Sequence, residues 1–532
     1  MKVLLSRCSL RSRICIAMPS SLPNSASRKS LMKSIRFILF SVAAVLTANA
    51  ADWPQYGRTN ERNMISDDTG LPDSFEVGDA DSPSKNIKWK VRFDGEIRGM
   101  PVAAHGKVYL AAAASASNLK YPLPTRPDWK KGTLYCFDEQ TGDLLWQFTS
   151  NEEQRGGTIG QFGLTTAPVV EKDRLYVFGG RNYVFCLTTG GLGAGNVGPI
   201  TNEQEFYKIQ APYSIEPNDA DMVWQFEAKK YWPAINYHNA YAYSPLVVGD
   251  VIYTSTGNGA VKDLEYMDTN HPPRPNADVP TLMMLNKLTG ELIAHDRELM
   301  GRGMIHGSWG TPCVGMVNGK MQILFGGCDG IIYGFDPEPE PVTGEVAKLK
   351  KIWSFDLNVH LNTYRRYETF GPPVCVDGKV YAAVSDDWTH PKDPGILACI
   401  DASGTGDITQ SGLVWQYRDI GISLGAVSIS KGLVYAADLN GRIHCLDKDT
   451  GEVYWVLKTK GDFRANTVVA DGKIFIGNSK GEFFILKEGK KLEILHQTRF
   501  PQGLSGSCIV ANGALFVPAG DTLYAIQEPK GK

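Results

Sequence analysis

The stretch HCLDKDTGEVYW (residues 444–455) recurs in this 532-residue chain as LYCFDEQTGDLLW (residues 134–146). Each copy reads as an apolar strand, a tight Asp-x-x-Thr-Gly turn and a second strand ending in Trp, with Asp and Trp eight positions apart in both. Looser copies begin at Met283, Gly334 and Ala398, the last two with lengthened turns. Ahead of these units runs a second hairpin, whose two-residue turns are His105-Gly106, Lys172-Asp173, Gly249-Asp250, Asn318-Gly319, Asp377-Gly378, Lys431-Gly432, Asp471-Gly472 and Asn512-Gly513. Gly, Asn and Asp suit such turns because these turns demand positive φ. Four short strands cannot bury both faces of their own sheet, so eight such units must pack face to face and close radially. The expected fold is all-β, an eight-bladed β-propeller of four-stranded antiparallel blades. The last unit stops after three strands, and IKWKVRF (residues 87–93) carries Trp89 with no blade before it, which predicts closure by strand exchange between the termini.

Residues 1–50 differ in kind. Lys33 and Arg36 precede an apolar run over 37–46 and the small-residue sequence Ala48-Asn49-Ala50, which reads as a secretory signal cut between Ala50 and Ala51. Residues 1–31 read either as an over-extended start, since Met32 would open the same signal, or as a long n-region of it. This divides the chain into a signal at 1–50, an N-terminal extension at 51–86 and a propeller at 87–532. The expected product is periplasmic or secreted, monomeric and free of a membrane anchor. A formal net charge of −2 argues against a nucleic-acid partner. Eight cysteines remain beyond the signal; Cys136, Cys186, Cys399 and Cys445 take equivalent places in different units, so they read as small core residues rather than disulfide partners.

The strand-Asp-x-x-Thr-Gly-x-x-x-Trp unit resembles the pyrroloquinoline-quinone-type (PQQ-type) repeat of quinoprotein alcohol dehydrogenases and of the lipoprotein propeller that assists outer-membrane barrel assembly. WPQYGRTNERN (residues 53–63) is similar to the opening of exported propellers of this type. The resemblance implies a propeller but not one activity, because the same repeat serves enzymes and scaffolds.

In such blades the B–C turns and the interblade loops share one face. Long insertions at 115–131, 151–164, 229–243, 261–280, 358–371 and 386–394 all fall there. That face is expected to carry Tyr231, Trp232, Tyr237, His238, Asn239, Tyr241, Trp309, Tyr364, Tyr367 and Trp388, with Arg98, Arg302, Arg365 and Arg464 near the axis. Aromatic, amide and cationic groups together suit a flat polar ligand or a peptide. The Gly-rich C–D insertion at 188–221 is expected to be a mobile flap over the opposite face.

The resemblance to quinoprotein dehydrogenases also implies candidate cofactor residues. YTSTGNG (residues 253–259) is similar to the family's Tyr-x-Gly-x-Gly-Asn segment, which would make Asn258 a calcium ligand. His306 and Trp309 match a His-Asp-x-Trp-Asp segment, but both Asp positions are glycine, Gly307 and Gly310. A quinone-calcium site needs a carboxylate there as base, and glycine supplies none. Adjacent cysteines and a Cys-x-x-Cys-His haem signature are absent from the sequence. The first expectation is therefore a non-catalytic binding or scaffolding propeller for a protein, peptide or polysaccharide. A PQQ- and calcium-dependent or diverged oxidoreductase, and a carbohydrate-active enzyme on the same scaffold, stay open as alternatives.

Overall fold

The computed structural model describes residues 51–79, 82–93, 95–114, 131–149, 164–179, 182–206, 214–234, 244–259, 276–304, 307–361, 366–385 and 395–529. Their strands form eight four-stranded antiparallel blades arranged as a β-propeller. Blade 1 comprises Val102–Ala104, Lys107–Ala114, Lys131–Asp138 and Leu144–Thr149, strands A to D from the axis outward. The innermost strands of blades 2 to 8 are Val169–Glu171, Leu246–Val248, Cys313–Val317, Val374–Val376, Ser428–Ser430, Val468–Ala470 and Ile509–Ala511. Ile87–Arg92 pairs antiparallel with the last strand, Thr522–Ile526, so the N-terminal part of the chain completes blade 8 as expected. The predicted export signal lies outside the described residues.

All eight A–B turns are left-handed at their first residue, even where that residue is His105, Lys172 or Lys431. The turn wins because its twist matches that of the paired strands, outweighing a local cost of about 1–2 kcal/mol for a non-glycine residue.

The repeating motif is explained by a lock between neighbours. In blades 1, 2, 5 and 6 a Tyr of strand B, a Cys of strand C and a Trp of strand D stand in one cross-strand row, as in Tyr109–Cys136–Trp146 and Tyr435–Cys445–Trp455. Only a small side chain fits between the two rings, whose centroids are 5.9–6.1 Å apart. The eight described cysteines are all free and buried. Each Trp then reaches the C–D turn of the next blade. Trp415 Nε1 donates to Lys448 O at 2.9 Å, and a Cβ on Gly451 of the Thr-Gly turn would come within 2.7 Å of the indole. Trp89 repeats the contact onto blade 1, donating to Glu139 O at 2.9 Å beside Gly142, and this closes the ring.

The C–D insertions add to this lock. Residues 218–220 pair with Gln147 on strand D of blade 1, Ala347–Lys348 pairs with strand D of blade 3 (Leu292–His295), and Gly406–Asp407 with strand D of blade 4 (Lys351–Asp356). Each insertion reaches back to cover the outer edge of the preceding blade, an edge otherwise open to unwanted pairing. The 188–221 insertion therefore departs from the expected flap: its described parts are pinned to blade 1, Ala220 N donating to Gln147 O at 2.9 Å.

Eight innermost strands also leave unpaired backbone edges around the axis. The extension fills that space from the A–B turn side. Trp53 exchanges hydrogen bonds with Ala103, Pro54 O accepts from Val170 N, and Asn60 bonds Val247 O and Val314 N. Further along, Asn63 pairs with Ile429 in both directions, Met64 O accepts from Val469 N, and Ile65–Ser66 lies parallel to Val468–Ala470. These contacts reach the second residue of strand A in six of the eight blades. Arg62 sits at the centre, fully buried, donating to the carbonyls of Pro312, Pro245 and Tyr56 and to Gln55 Oε1 at 2.6–3.1 Å.

Candidate functional site

Beyond the plug, on the face of the interblade loops, one repeat position lies five residues before the second residue of strand A. In blades 1, 2, 4, 5, 6, 7 and 8 it is Arg98, Thr165, Trp309, Phe370, Leu424, Arg464 and Ser505. All are half-buried except Phe370, which is buried. Blade order puts Arg464, Ser505 and Arg98 side by side, across the ring from Trp309 and Phe370.

The cationic sector is built from a repeated acid-apolar-Arg loop. Arg98 pairs with Glu96 at 3.2 Å, and Ser505 Oγ donates to Glu96 Oε1 at 2.7 Å. Arg464 pairs with Asp462 at 2.7 Å, and Ser479 hydrogen-bonds the same carboxylate. Burial holds the Arg98 guanidinium below its usual range, and the like charge of Arg464 pushes the same way. In the aromatic sector Trp309 and Phe370 meet edge to face, with centroids 5.5 Å apart. Trp309 Nε1 is buried without an acceptor among the described residues, a state that calls for an explanation in a folded protein.

The other expected site residues disperse. Tyr237, His238, Asn239, Tyr241, His306, Tyr364, Arg365 and Trp388 lie outside the described residues. Tyr231 is exposed and stacks on Phe226, while Trp232 packs edge-on against His295. Arg302 forms a two-pronged, exposed pair with Asp278 at 2.7 and 3.1 Å. Tyr367 is buried, its backbone N–H held by Asn358 Oδ1. Sequence reasoning missed Glu96, Asp462, Ser505 and Phe370. The signal that would have found Phe370 and Ser505 is the offset from strand A, which aligns them with Arg98, Trp309 and Arg464 although the residue types differ; Glu96 and Asp462 stand two positions before the two arginines.

The described residues do not assemble a PQQ-calcium centre. Asn258 is buried and committed: its Oδ1 accepts from Asn276 Nδ2 at 2.6 Å and its Nδ2 donates to Asn276 O at 3.0 Å. Gly310 holds a repeat position shared with Gly99, Gly371 and Gly506, where an added Cβ would stand 2.2–2.7 Å from a backbone carbonyl. A carboxylate at Gly310 would therefore require the blade backbone to move. Among the described residues no three His, Cys, Asp or Glu side chains gather as a metal site. At Gly310 the glycine is a packing requirement of the scaffold.

With this geometry in place, comparisons with known proteins bear on kinship. A family model described as outer membrane protein assembly factor BamB matches residues 130–193 and 350–532. These matched segments support a PQQ-like repeat propeller. The chain is 26% identical over 262 residues to a polyvinylalcohol dehydrogenase of Sphingopyxis sp. (strain 113P3), covering 43% of this chain and 36% of that protein. It is 32% identical over 172 residues to the dehydrogenase subunit of a quinone alcohol dehydrogenase of Gluconobacter oxydans (strain 621H), covering 28% of this chain and 20% of that protein. The chain thus spans well under half the length of these two relatives. Similarity to the assembly factor BamB of Yersinia pestis is lower, 21%, but extends over 75% of this chain and 83% of that one. The crystal structure of BamB from Moraxella catarrhalis shares the fold, with a TM-score of 0.50, 16% identity and coverage of 84% of this chain and 98% of that one.

Proposed function

We propose that this PQQ-like propeller is exported and acts as a binding or scaffolding protein, engaging a protein or peptide partner at the axial ring and the loops around it. The observation that carries the reading is the composition of the ring: two guanidiniums, each beside its own carboxylate, and a hydroxyl on one side, and on the other a phenyl ring beside an indole whose N–H has no acceptor among the described residues. Such a pair of sectors suits a segment that presents a carboxylate and an apolar or aromatic side chain together. The length of the match to BamB of Yersinia pestis, a protein named for outer membrane protein assembly, supports a protein partner over a small molecule. The committed Asn258 and the crowded Gly310 weigh against oxidation of a substrate by a bound quinone.

The experiment has two arms. Panning a phage-displayed random peptide library on the purified protein is expected to select acidic, aromatic-bearing peptides whose binding falls at least tenfold, about 1.4 kcal/mol, in the Arg98→Ala/Arg464→Ala variant. Incubation with PQQ and Ca²⁺ is expected to leave no stoichiometric quinone after gel filtration and no dye reduction with alcohols. Stoichiometric retention with dye reduction overturns the binding reading in favour of the oxidoreductase. Peptides that bind the double variant unchanged move the partner away from the ring.

A further inference from the structure

Asp68 is a buried carboxylate, 1% exposed, lying where the plug leaves the axis beneath blade 8. Its Oδ2 accepts from Gly513 N at 3.3 Å, and its Oδ1 accepts from the backbone nitrogen of Ala51 at 2.9 Å. Arg58, the cation that acts on it, is itself paired with Asp67 at 3.4 Å. Burial raises the Asp68 carboxyl above its usual range, the mark of a charge without a full counter-charge. The nitrogen that reaches it belongs to the residue after Ala48-Asn49-Ala50, the small-residue run read as a cleavage point.

We infer that hydrolysis of the Ala50–Ala51 bond by a signal peptidase creates an α-ammonium at Ala51 that forms a buried ion pair with Asp68, so that export processing completes the fold. In that step water is the co-reactant: the C–N bond breaks, the hydroxyl goes to the Ala50 carbonyl and protonation leaves Ala51 with an ammonium group. In the uncut chain the same nitrogen is a neutral amide that offers one hydrogen bond and no charge. The surroundings of Ala51 are built to hold a terminus in place. Ala51 O accepts from Asn512 N, Asp52 Oδ1 accepts from Asn512 Nδ2 at 3.0 Å, and Asp52 Oδ2 accepts from His105 N at 3.0 Å. Asn512 belongs to blade 8 and His105 to blade 1, so the pair would clamp the first and last blades at the seam of the ring.

The inference rests on the reading of the chain as exported, and the test separates the two. The full precursor is expressed in a host that exports it, and the purified protein is sequenced from its N-terminus; Ala51 is expected. Asp68→Asn is then compared in two backgrounds: the natural precursor, and one with an extra Ala inserted between Ala50 and Ala51, so that cutting leaves the ammonium one residue away. In the natural background the substitution should lower the thermal midpoint by several degrees; with the insertion most of that loss should vanish. As a second measurement that needs no substitution, amine-selective labelling of the Ala51 terminus should be several-fold slower in the folded protein than in urea. A protein that retains residues before Ala51 overturns export and the pair together. A terminus at Ala51 with equal losses in both backgrounds, or with unprotected labelling, overturns the pair alone.

Discussion

Arg62 carries a charge into the axis of the propeller, and its partners are the carbonyls of three residues and the amide of Gln55. Burial pushes the guanidinium down to about 10, still protonated at neutral pH. Such a group holds because each of its three nitrogens finds an acceptor, and cutting it away strands buried carbonyls from the extension and from blades 3 and 4. Arg62→Met should cost about 3–5 kcal/mol in urea unfolding. Asp329, almost wholly enclosed, is pushed up to about 6 by burial despite the Tyr333 hydroxyl donating to it at 2.7 Å. Its value is near 3.9 in the unfolded chain, so the folded state binds the extra proton between about pH 4 and pH 6. Stability from this site is therefore full below about pH 4 and lost as pH rises through 6. Asp329→Asn should flatten that part of a plot of urea midpoint against pH. Neither role was legible in the sequence: Arg62 stood in a short polar segment and Asp329 in an ordinary turn, and burial by distant elements gives each its importance.

At the scale of the element, the Asp-x-x-Thr-Gly turn and the Trp eight positions later serve different blades. The Asp caps its own turn, as Asp138 Oδ1 does by accepting from Gln140 N and Thr141 N at 2.8 and 2.9 Å. The Trp belongs to the next contact round the ring. Trp89 is the case on which closure depends, since it joins blade 8 to blade 1 from a strand far from blade 8 in sequence. Trp89→Ala should lower stability by about 3–5 kcal/mol and steepen the dependence on the N-terminal strand, read as protease sensitivity near residue 87. The hairpins, the blade count and the borrowed strand were legible because each is written in a short, periodic run of residues. The fate of the C–D insertions was not: their glycine content suggested freedom, whereas their backbones pair with the preceding blade.

For the whole molecule, the plug makes the propeller a one-sided object. Residues 51–66 satisfy strand edges from blade 1 round to blade 7 near the A–B turns, while the ring of Arg98, Trp309 and Arg464 lies toward the loop face. A chain that starts at residue 67 should still form blades, because their locks lie at the rim, but its inner strand edges would be open to pairing with other chains. The expected outcome is a lower thermal midpoint and concentration-dependent association, visible by light scattering; an unchanged monomer with an unchanged midpoint would refute the plug's role. The sequence by itself determined the all-β architecture, the eight units and the seam at Trp89, since strand alternation, turn chemistry and the Trp spacing act over a dozen residues at a time. Only the tertiary structure decided that 51–66 threads the axis, that Gly310 is required by a carbonyl 2.2 Å from where a side chain would start, and which half-buried groups share a ring. The plug and the ring depend on groups brought together from blades hundreds of residues apart, and the crowding of Gly310 on the carbonyl of Gly326 in its own blade; backbone groups leave no mark in the order of side chains.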